Sequence, residues 1–399
     1  MKHLRHFIFL KDVLGLACTA FGGPQAHLSM FFKILVKKRG YISEQELIDL
    51  YSFCQILPGP ASTQTLTAVG FRLGGPRLAF LTLLVWIFPA VTAMTTAGIM
   101  LSYLHLKNIP LHFTKYLEPI AIGFVIYAAV KISMLVLKTR LSVLLCILTA
   151  LLGFAIKSPA IFPITLLLCG AITALQFKKE TNAIPQEKIK IEWANLILFV
   201  GIALGSAVLG HFTRSLPDNL PINLAIRLFE NFFRNGSLVF GGGQSLIAVL
   251  HKQFVQFKGY LTADEFLSGY ALLQVLPGPL FSFSSFVGAL AMRNYGLNGQ
   301  IIGGVVGAAG IFLPGTILIF FVIRFWDKVK HNNVMKASLE GINAGSAGIL
   351  IATVFLLSQS VEINWLNIGI TIATFLVLQF TKLPPPFIIV AGVVAGFLI

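Results

Sequence analysis

The sequence repeats itself at an offset of 219 residues, and each copy contains a Pro-Gly-Pro tripeptide. Between residues 21–60 and 240–279, 15 of 40 positions are identical, including FGGPQ against FGGGQ and QILPGP against QVLPGP. Proline donates no backbone hydrogen bond, and it disfavours helical geometry in the residue before it. A helix that carries these residues must therefore break, once in each copy.

The composition predicts that these helices lie in a membrane. Of 399 residues, 56% are hydrophobic and only 11% are charged, which is less than half the charged fraction of a soluble domain. Apolar runs at residues 78–100 and 193–212 reach the roughly 20 residues that a helix needs to cross a bilayer. We predict an all-α integral membrane protein with the lipid bilayer as its surroundings. The net charge of +15 indicates no nucleic-acid partner, because Lys and Arg are scattered over many short loops, where they set topology.

The repeat predicts two homologous domains, at residues 1–177 and 214–399, joined by a polar linker and one connecting span at 178–213. Each domain is expected to contain about six spans, which makes about 13 with the connecting one. The FGG motif is placed inside the first span, and capping boxes at Ser43/Glu46 and Thr262/Glu265 are predicted to open the helix that Pro-Gly-Pro breaks. Further spans are predicted near residues 78–104, 117–137, 141–156 and 159–176, matched by 299–323, 340–358, 363–380 and 384–399.

Whether the broken helix crosses the membrane or turns back is decided here by loop charge. If it crosses, Lys and Arg are concentrated on the side of the N-terminus, whereas a re-entrant helix divides them equally between the two sides. The positive-inside rule favours the crossing arrangement with a cytoplasmic N-terminus. Six spans followed by one extra span then make the two domains antiparallel, as in many secondary transporters whose substrate binds at mid-membrane between discontinuous helices.

The breaks are predicted to bind a tetrahedral oxyanion. A helix that restarts after Pro-Gly-Pro has first-turn amides without carbonyl partners and a partial positive charge, and an anion satisfies both. Polar side chains and a lysine at equivalent positions in each copy add hydrogen-bond donors. Paired glycines in each copy let the backbone approach the ion closely. The predicted substrate-binding residues are Gly22, Gly23, Gln25, Lys33, Gln55, Pro58, Gly59, Pro60, Ser62 and Thr63, with Gly241, Gly242, Gln244, Lys252, Gln274, Pro277, Gly278, Pro279 and Ser282 in the second copy. Candidate gating or coupling residues are Arg72, Arg293, Glu118 and Glu340.

Each of these features also has a structural interpretation. Pro-Gly-Pro can be a kink, and FGG can serve tight helix packing. Lys33 and Lys252 can extend to the headgroups, Arg72 and Arg293 can anchor topology, and the two glutamates can complement helix N-termini. The four cysteines lie in apolar segments without CxxC spacing, and no histidine cluster suggests a metal. No cofactor, metal or catalytic residue is predicted.

With these residues the chain resembles the chromate ion transporter family in its long, two-domain form. The resemblance rests on FGGPQAHL and FGGGQSLIAVL, and on QILPGPASTQ and QVLPGPLFSF, doubled at a constant offset. It implies export of chromate from the cytoplasm across a bacterial inner membrane, driven by the proton-motive force, which confers chromate resistance. It also implies about 13 spans with antiparallel halves. Pro24 stands where the second copy has Gly243, and the first restarted helix is the more polar, so the first half is expected to hold more of the substrate contact.

Other functions remain open at this stage. Chromate and sulfate are both tetrahedral dianions, so an uptake symporter for sulfate or another oxyanion is the main alternative. An intramembrane enzyme acting on lipid phosphates is less favoured, because the 15 acidic residues form no DxxD, DxxxD or HExxH motif. A channel is a further alternative. The residues do not distinguish a monomer from a homodimer.

Overall fold

The computed structural model describes residues 2–21, 23–55, 57–106, 116–156, 158, 160–176, 193–214, 220–239, 244–323, 333–359, 361–381, 383 and 385–398. Within these ranges the chain is helical and contains no β-strand, so the all-α prediction is confirmed. Five helices are long and apolar enough to cross a membrane, judged by length and composition. They cover Ala61–Leu104, Leu117–Val136, Ala194–Thr213, Arg293–Val322 and Ala337–Ser358.

The described residues of the first half form seven α-helices. They are α1 (Lys2–Thr19), α2 (Gly23–Phe31), α3 (Glu44–Cys54), α4 (Ala61–Leu106), α5 (Leu117–Val136), α6 (Arg140–Ala155) and α7 (Ile161–Gln176). A π-helix, Phe32–Lys38, continues α2. Helix α4 has non-helical backbone at Gly74 and Gly75, so it is two helices joined end to end.

Helix α8 (Ala194–Arg214) precedes the second half, whose described residues form eight α-helices. They are α9 (Pro221–Leu238), α10 (Gln244–Leu250), α11 (Ala263–Val275), α12 (Phe283–Ala291), α13 (Gly296–Val322), α14 (Asn333–Ser358), α15 (Trp365–Phe380) and α16 (Pro385–Leu398). A π-helix, His251–Phe257, continues α10. It lies 219 residues after the π-helix of the first half.

The same local structural features recur in both halves. Both predicted capping boxes are present, with Ser43 and Thr262 each accepting from the amide three residues later. Each capping-box glutamate also binds an arginine at the far end of the restarted helix, in the pairs Glu46–Arg72 and Glu265–Arg293. In both halves, therefore, the arginine holds the start of the broken helix against the end of its continuation.

The two halves share their cores. Helix α4 of the first half packs against α12 and α13 of the second. Ile319 of α13 and Ile323, the residue after this helix, belong to the apolar cluster of the first half, and Met94 and Leu101 of α4 belong to that of the second. Helix α14 of the second half also packs against α5, α6 and α7 of the first, and α15 packs against α5. Movement of one half relative to the other must therefore change the packing at both of these interfaces.

The placement of the FGG motif inside the first span was wrong. Helix α1 ends at Thr19, Ala20 and Phe21 are not helical, and α2 begins at Gly23. The equivalent helix α9 ends at Leu238, with Val239 extended. The carbonyl groups freed at these two ends accept hydrogen bonds from the other half of the molecule.

Candidate functional site

The helix breaks of the two halves meet one another. The amide of Gly59, in the first Pro-Gly-Pro, donates to the carbonyl of Val239 at 2.8 Å, and the amide of Gly278, in the second, donates to the carbonyl of Ala20 at 2.9 Å. The two donors are 219 residues apart, and so are the two acceptors. Each Pro-Gly-Pro corner is thereby bound to the end of the first helix in the opposite half.

Glycine is required at both corners. The backbone φ angle is 109° at Gly59 and 116° at Gly278, a region that other residues rarely adopt. A Cβ on Gly59 would lie 3.2 Å from the Cα of Gly315, and one on Gly278 would lie 2.7 Å from the Cβ of Ala90. Gly315 and Ala90 follow Pro314 and Pro89, the prolines inside α13 and α4. The corners are thus also packed against proline-containing helices of the opposite half.

The first turns of α4 form a buried polar cluster. Ser62, Thr63, Gln64 and Thr65 are all buried. The Ser62 hydroxyl lies 3.1 Å from Nδ1 of His27, and the indole N–H of Trp86 donates to the Thr63 hydroxyl at 3.1 Å. Because Thr63 accepts from Trp86, its own hydroxyl hydrogen remains a donor for a ligand at the helix N-terminus.

Gln64 connects this cluster to the second half. Its amide nitrogen donates to the carbonyls of Pro58 at 2.8 Å and Gly315 at 3.1 Å. The reversed amide orientation would place oxygen against both carbonyls, so the orientation is fixed by chemistry. Its amide oxygen is buried without a hydrogen-bond partner among the described residues.

The equivalent turn in the second half is largely aromatic. Phe281 and Phe283 replace Ser62 and Gln64, and both are buried. The Ser282 hydroxyl donates to the carbonyl of Pro279 at 2.8 Å, and Ser284 donates to that of Phe281 at 2.8 Å. These two hydroxyl hydrogens are used within the turn, whereas the buried Ser285 hydroxyl has no hydrogen-bond partner among the described residues.

The two equivalent lysines lie in different surroundings. Lys33 is exposed. Lys252 is buried, and its ammonium group donates to the carbonyls of Gly153, at 2.7 Å, and Ile156. It also lies 5.0 Å from the centre of the Phe162 ring. Lys252 therefore caps the C-terminal end of α6, where a cation is favoured by the helix dipole.

The predicted gating residues are separated. Arg72 and Arg293 bind the capping-box glutamates of their own halves. Glu340 is exposed and accepts from the Thr139 hydroxyl at 2.8 Å. Glu118 is half-buried in the first turn of α5.

The two predicted glutamines before Pro-Gly-Pro lie at the ends of equivalent helices. Gln55 is the C-cap residue of α3, and Gln274 lies in the last turn of α11. Of the remaining predicted residues, Gly23 begins α2, Pro58 and Pro60 flank one corner, and Pro277 and Pro279 flank the other. Gly22, Gly241, Gly242 and the side chains of Gln25 and Gln244 lie outside the described residues.

Sequence reasoning missed His27, Gln64 and Trp86. His27 lies four residues after Gly23, and its ring packs edge-on against Trp86 with 5.3 Å between ring centres. Its second ring nitrogen, Nε2, lies 3.2 Å from the carbonyl of Ala20. The signal available in the sequence was its place directly after FGGPQA, which the second half does not repeat.

The chemistry of this cluster suits an oxyanion. Helix α4 supplies first-turn amides, hydroxyl donors and the positive end of a helix dipole. No group of three or more His, Cys, Asp or Glu side chains that could hold a metal occurs in the described part of the chain.

The chain is similar in sequence to a known protein family and to several individual proteins. The sequence matches the family described as Chromate transporter over residues 8–175 and again over residues 226–397. An uncharacterised transporter of Methanocaldococcus jannaschii is 26% identical over 394 residues, 97% of this chain and 92% of that protein. A chromate transport protein of Pseudomonas aeruginosa is 27% identical over 390 residues, 95% of this chain and 89% of that protein. A probable chromate transport protein of Synechococcus elongatus is 24% identical over 401 residues, 99% of this chain and 95% of that protein. No solved structure matches the chain.

Proposed function

Because the chain belongs to the chromate transporter family, we propose that it exports chromate from the cytoplasm and so confers chromate resistance. A member of a transporter family with several membrane-spanning helices is an integral membrane transporter rather than an enzyme. The observation that carries the proposal is the pair of Pro-Gly-Pro corners, each bound by its glycine amide to the opposite half.

The proposed architecture is a pair of inverted repeats in the inner membrane, with about 13 spans and a cytoplasmic N-terminus. The repeats occupy residues 1–177 and 214–399, with a linker and one span between them. The equivalence of the contacts Gly59–Val239 and Gly278–Ala20 supports a two-fold relation between the halves. Rocking of one half against the other then exposes the junction to each side of the membrane in turn.

The proposed substrate site lies at this junction, on the side of the first half. The ion is held by first-turn amides of α4 and by the hydroxyls of Ser62 and Thr63, with Gly59 allowing close approach. Gly22, Gly23, Gln25 and Gln55, and their second-half equivalents, remain proposed contacts. Because Lys252 caps α6 and Lys33 is exposed, we assign the first a structural role and place the second outside the site.

Gln64 is proposed to link site occupancy to the packing of the halves. Its amide group bridges Pro58 of the first corner and Gly315 of the second half. An ion that binds beside Gln64 changes the electrostatic environment of its unpartnered amide oxygen. Rocking of the halves changes the length of the hydrogen bond from its amide nitrogen to the Gly315 carbonyl. Arg72 and Arg293 hold each broken helix together while the halves move.

The membrane potential supplies the driving force. Moving one charge across 100 mV corresponds to about 2.3 kcal/mol, so expelling a dianion from a negative interior releases roughly twice that amount. Uptake of the same ion requires co-transported cations, which makes export the direction favoured by the potential.

Flux into everted membrane vesicles tests the proposal. Labelled chromate should accumulate in vesicles that contain the protein, saturate with concentration and fall to the control level when an uncoupler is added. Non-saturable flux would indicate a channel. Sulfate accumulation in place of chromate would assign the protein to a different oxyanion, and absence of flux for both ions would contradict the proposed function.

A further inference from the structure

His27 is a buried titratable side chain that joins three parts of the junction. It is 1% exposed. Nε2 lies 3.2 Å from the carbonyl of Ala20, which also accepts from the amide of Gly278, and Nδ1 lies 3.1 Å from the hydroxyl of Ser62. One imidazole therefore contacts the end of α1 and the start of α4, and shares an acceptor with the second Pro-Gly-Pro corner.

The partners fix the tautomer of the neutral ring. A backbone carbonyl only accepts, so Nε2 must carry the hydrogen and donate to Ala20. In the neutral ring Nδ1 is then an acceptor, and the Ser62 hydroxyl donates to it. In this state the Ser62 hydrogen is used inside the protein, and it is not available to a ligand.

Protonation of His27 reverses one hydrogen bond and leaves the rest in place. A proton that arrives on Nδ1 makes this nitrogen a donor, so Ser62 becomes the acceptor and its hydroxyl hydrogen is released. The Nε2 bond to Ala20 is unchanged. The N-terminus of α4 gains one hydroxyl donor and one nearby positive charge, and both favour a bound anion.

Among the residues that the structure describes, no charged side chain contacts the His27 ring. Its contacts are with Ala20, Phe31, Ser62 and Trp86, none of which is charged. On the elements packed against it, the titratable or charged side chains within the described ranges are Arg5, His6, Lys11, Asp12 and Cys18 on α1, Lys33, Lys37 and Lys38 on the π-helix, and Arg72, Arg77 and Tyr103 on α4. Asp12 is bound to Arg39, and Arg72 to Glu46.

We propose that His27 is a positioning residue that takes up one proton when the oxyanion binds and acts on the ion through Ser62. This inference rests on the proposed function, because it names the proton step of the same transport cycle. The second half has Leu246 at the equivalent position. This proton step therefore has no counterpart at the equivalent position of the second half. The proton that binds with the anion is released with it on the opposite side, so that one net negative charge is exported per cycle and the potential contributes half of what expelling the dianion alone would release.

The pH dependence of KM for chromate tests this role in proteoliposomes at a fixed imposed potential. His27→Gln and His27→Asn retain hydrogen-bonding groups but cannot take up a proton. For the unaltered protein, KM should rise by up to about tenfold per pH unit as the pH increases, since one proton is linked to binding. Both variants should lack this dependence, and exposed His211 provides the matched control, His211→Gln.

The substrate itself takes up a proton in the acidic range, but this affects all the proteins equally, so the ratio of variant to unaltered KM isolates His27. A purely structural role would reduce flux by the same factor at every pH. If both variants transport chromate and their KM depends on pH as it does in the unaltered protein, the proposed role of His27 is overturned. Absence of chromate flux in the unaltered protein would instead contradict the proposed function.

Histidine NMR of the unaltered protein gives a second test that does not depend on the variants. The His27 signal should show the neutral ring with hydrogen on Nε2 in the absence of chromate and the doubly protonated ring at saturating chromate. A ring that stays neutral with chromate bound would overturn the proposal.

Discussion

In the first half, the helix after Pro-Gly-Pro begins with Ser62, Thr63 and Gln64, whereas the equivalent turn of the second half is Phe281, Ser282 and Phe283. The backbones of the two turns share the same corner, with positive φ at Gly59 and Gly278. Their side chains differ in kind, because the first set points donors into a buried polar cluster and the second fills an apolar one.

The two equivalent lysines also differ between the halves, but here the buried polar group belongs to the second half. The second half buries Lys252 against the end of α6, and the first half leaves Lys33 exposed. Both halves thus retain the glycine corners and the arginine–glutamate pairs, while the side chains in the first turn after each break differ.

The largest expected effect is shared by the two corners. Gly59→Val and Gly278→Val place a branched side chain at a positive φ, which costs about 1–3 kcal/mol, and force Cβ against Gly315 or Ala90. Chromate flux should fall at least roughly a hundredfold in each variant, while the protein still inserts and purifies. Gly201→Val is the control, because nothing lies within 4 Å of a Cβ there. Normal flux in both corner variants would refute the proposed site.

The two arginine–glutamate pairs should differ in strength. The Glu265 side chain is 3% exposed, compared with 43% for Glu46. Arg293→Gln leaves a buried carboxylate unpaired and should lower the free energy of unfolding by about 3 kcal/mol, whereas Arg72→Gln should cost about 0–1 kcal/mol. Thermal unfolding in detergent measures both, and equal losses would contradict the contrast in burial.

Lys252→Met should destabilise the protein, and Lys33→Met should not. Without its ammonium group, the carbonyls at the end of α6 lose a donor at a cost of about 1–3 kcal/mol, whereas an exposed lysine changes stability by less than about 0.5 kcal/mol. The same unfolding assay applies. If Lys252→Met instead raised KM for chromate without changing stability, Lys252 would be a substrate contact.

The smallest effect compares serines at the two breaks. Ser62→Ala should raise KM for chromate about tenfold, which corresponds to roughly 1.4 kcal/mol for one lost donor. Ser282→Ala should change KM less than about threefold, because that hydroxyl already donates to Pro279. Equal changes in KM would show that the two breaks contribute equally to binding.

Local signals in the sequence predicted local structure well. The capping boxes are confirmed, and helices α5 (Leu117–Val136) and α6 (Arg140–Ala155) lie within one residue of the predicted ranges. Proline, glycine and capping residues act on the backbone within one turn, so their effect can be read without knowing the fold. Inverted topology, domain limits and the direction of transport stay predictions.

Features that depend on partners distant in sequence could not be predicted. The end of α1 can be predicted locally, because the residue that would donate to the Ala20 carbonyl in a continuous helix is Pro24, which has no N–H. That this carbonyl instead binds Gly278 of the other half is not indicated by any residue near Ala20. Lys33 and Lys252 occupy equivalent positions, and only the end of α6 makes them different. The contact of His27 with Ser62 joins residues 35 positions apart, so it follows only from the fold.

Anomalous scattering from chromium, in crystals of the protein with chromate, would locate the bound ion. We expect one strong peak at the junction of the breaks, within hydrogen-bonding reach of the first turn of α4 and the Ser62 and Thr63 hydroxyls. A peak on the Phe281–Phe283 side, or at a position away from both Pro-Gly-Pro corners, would contradict this expectation.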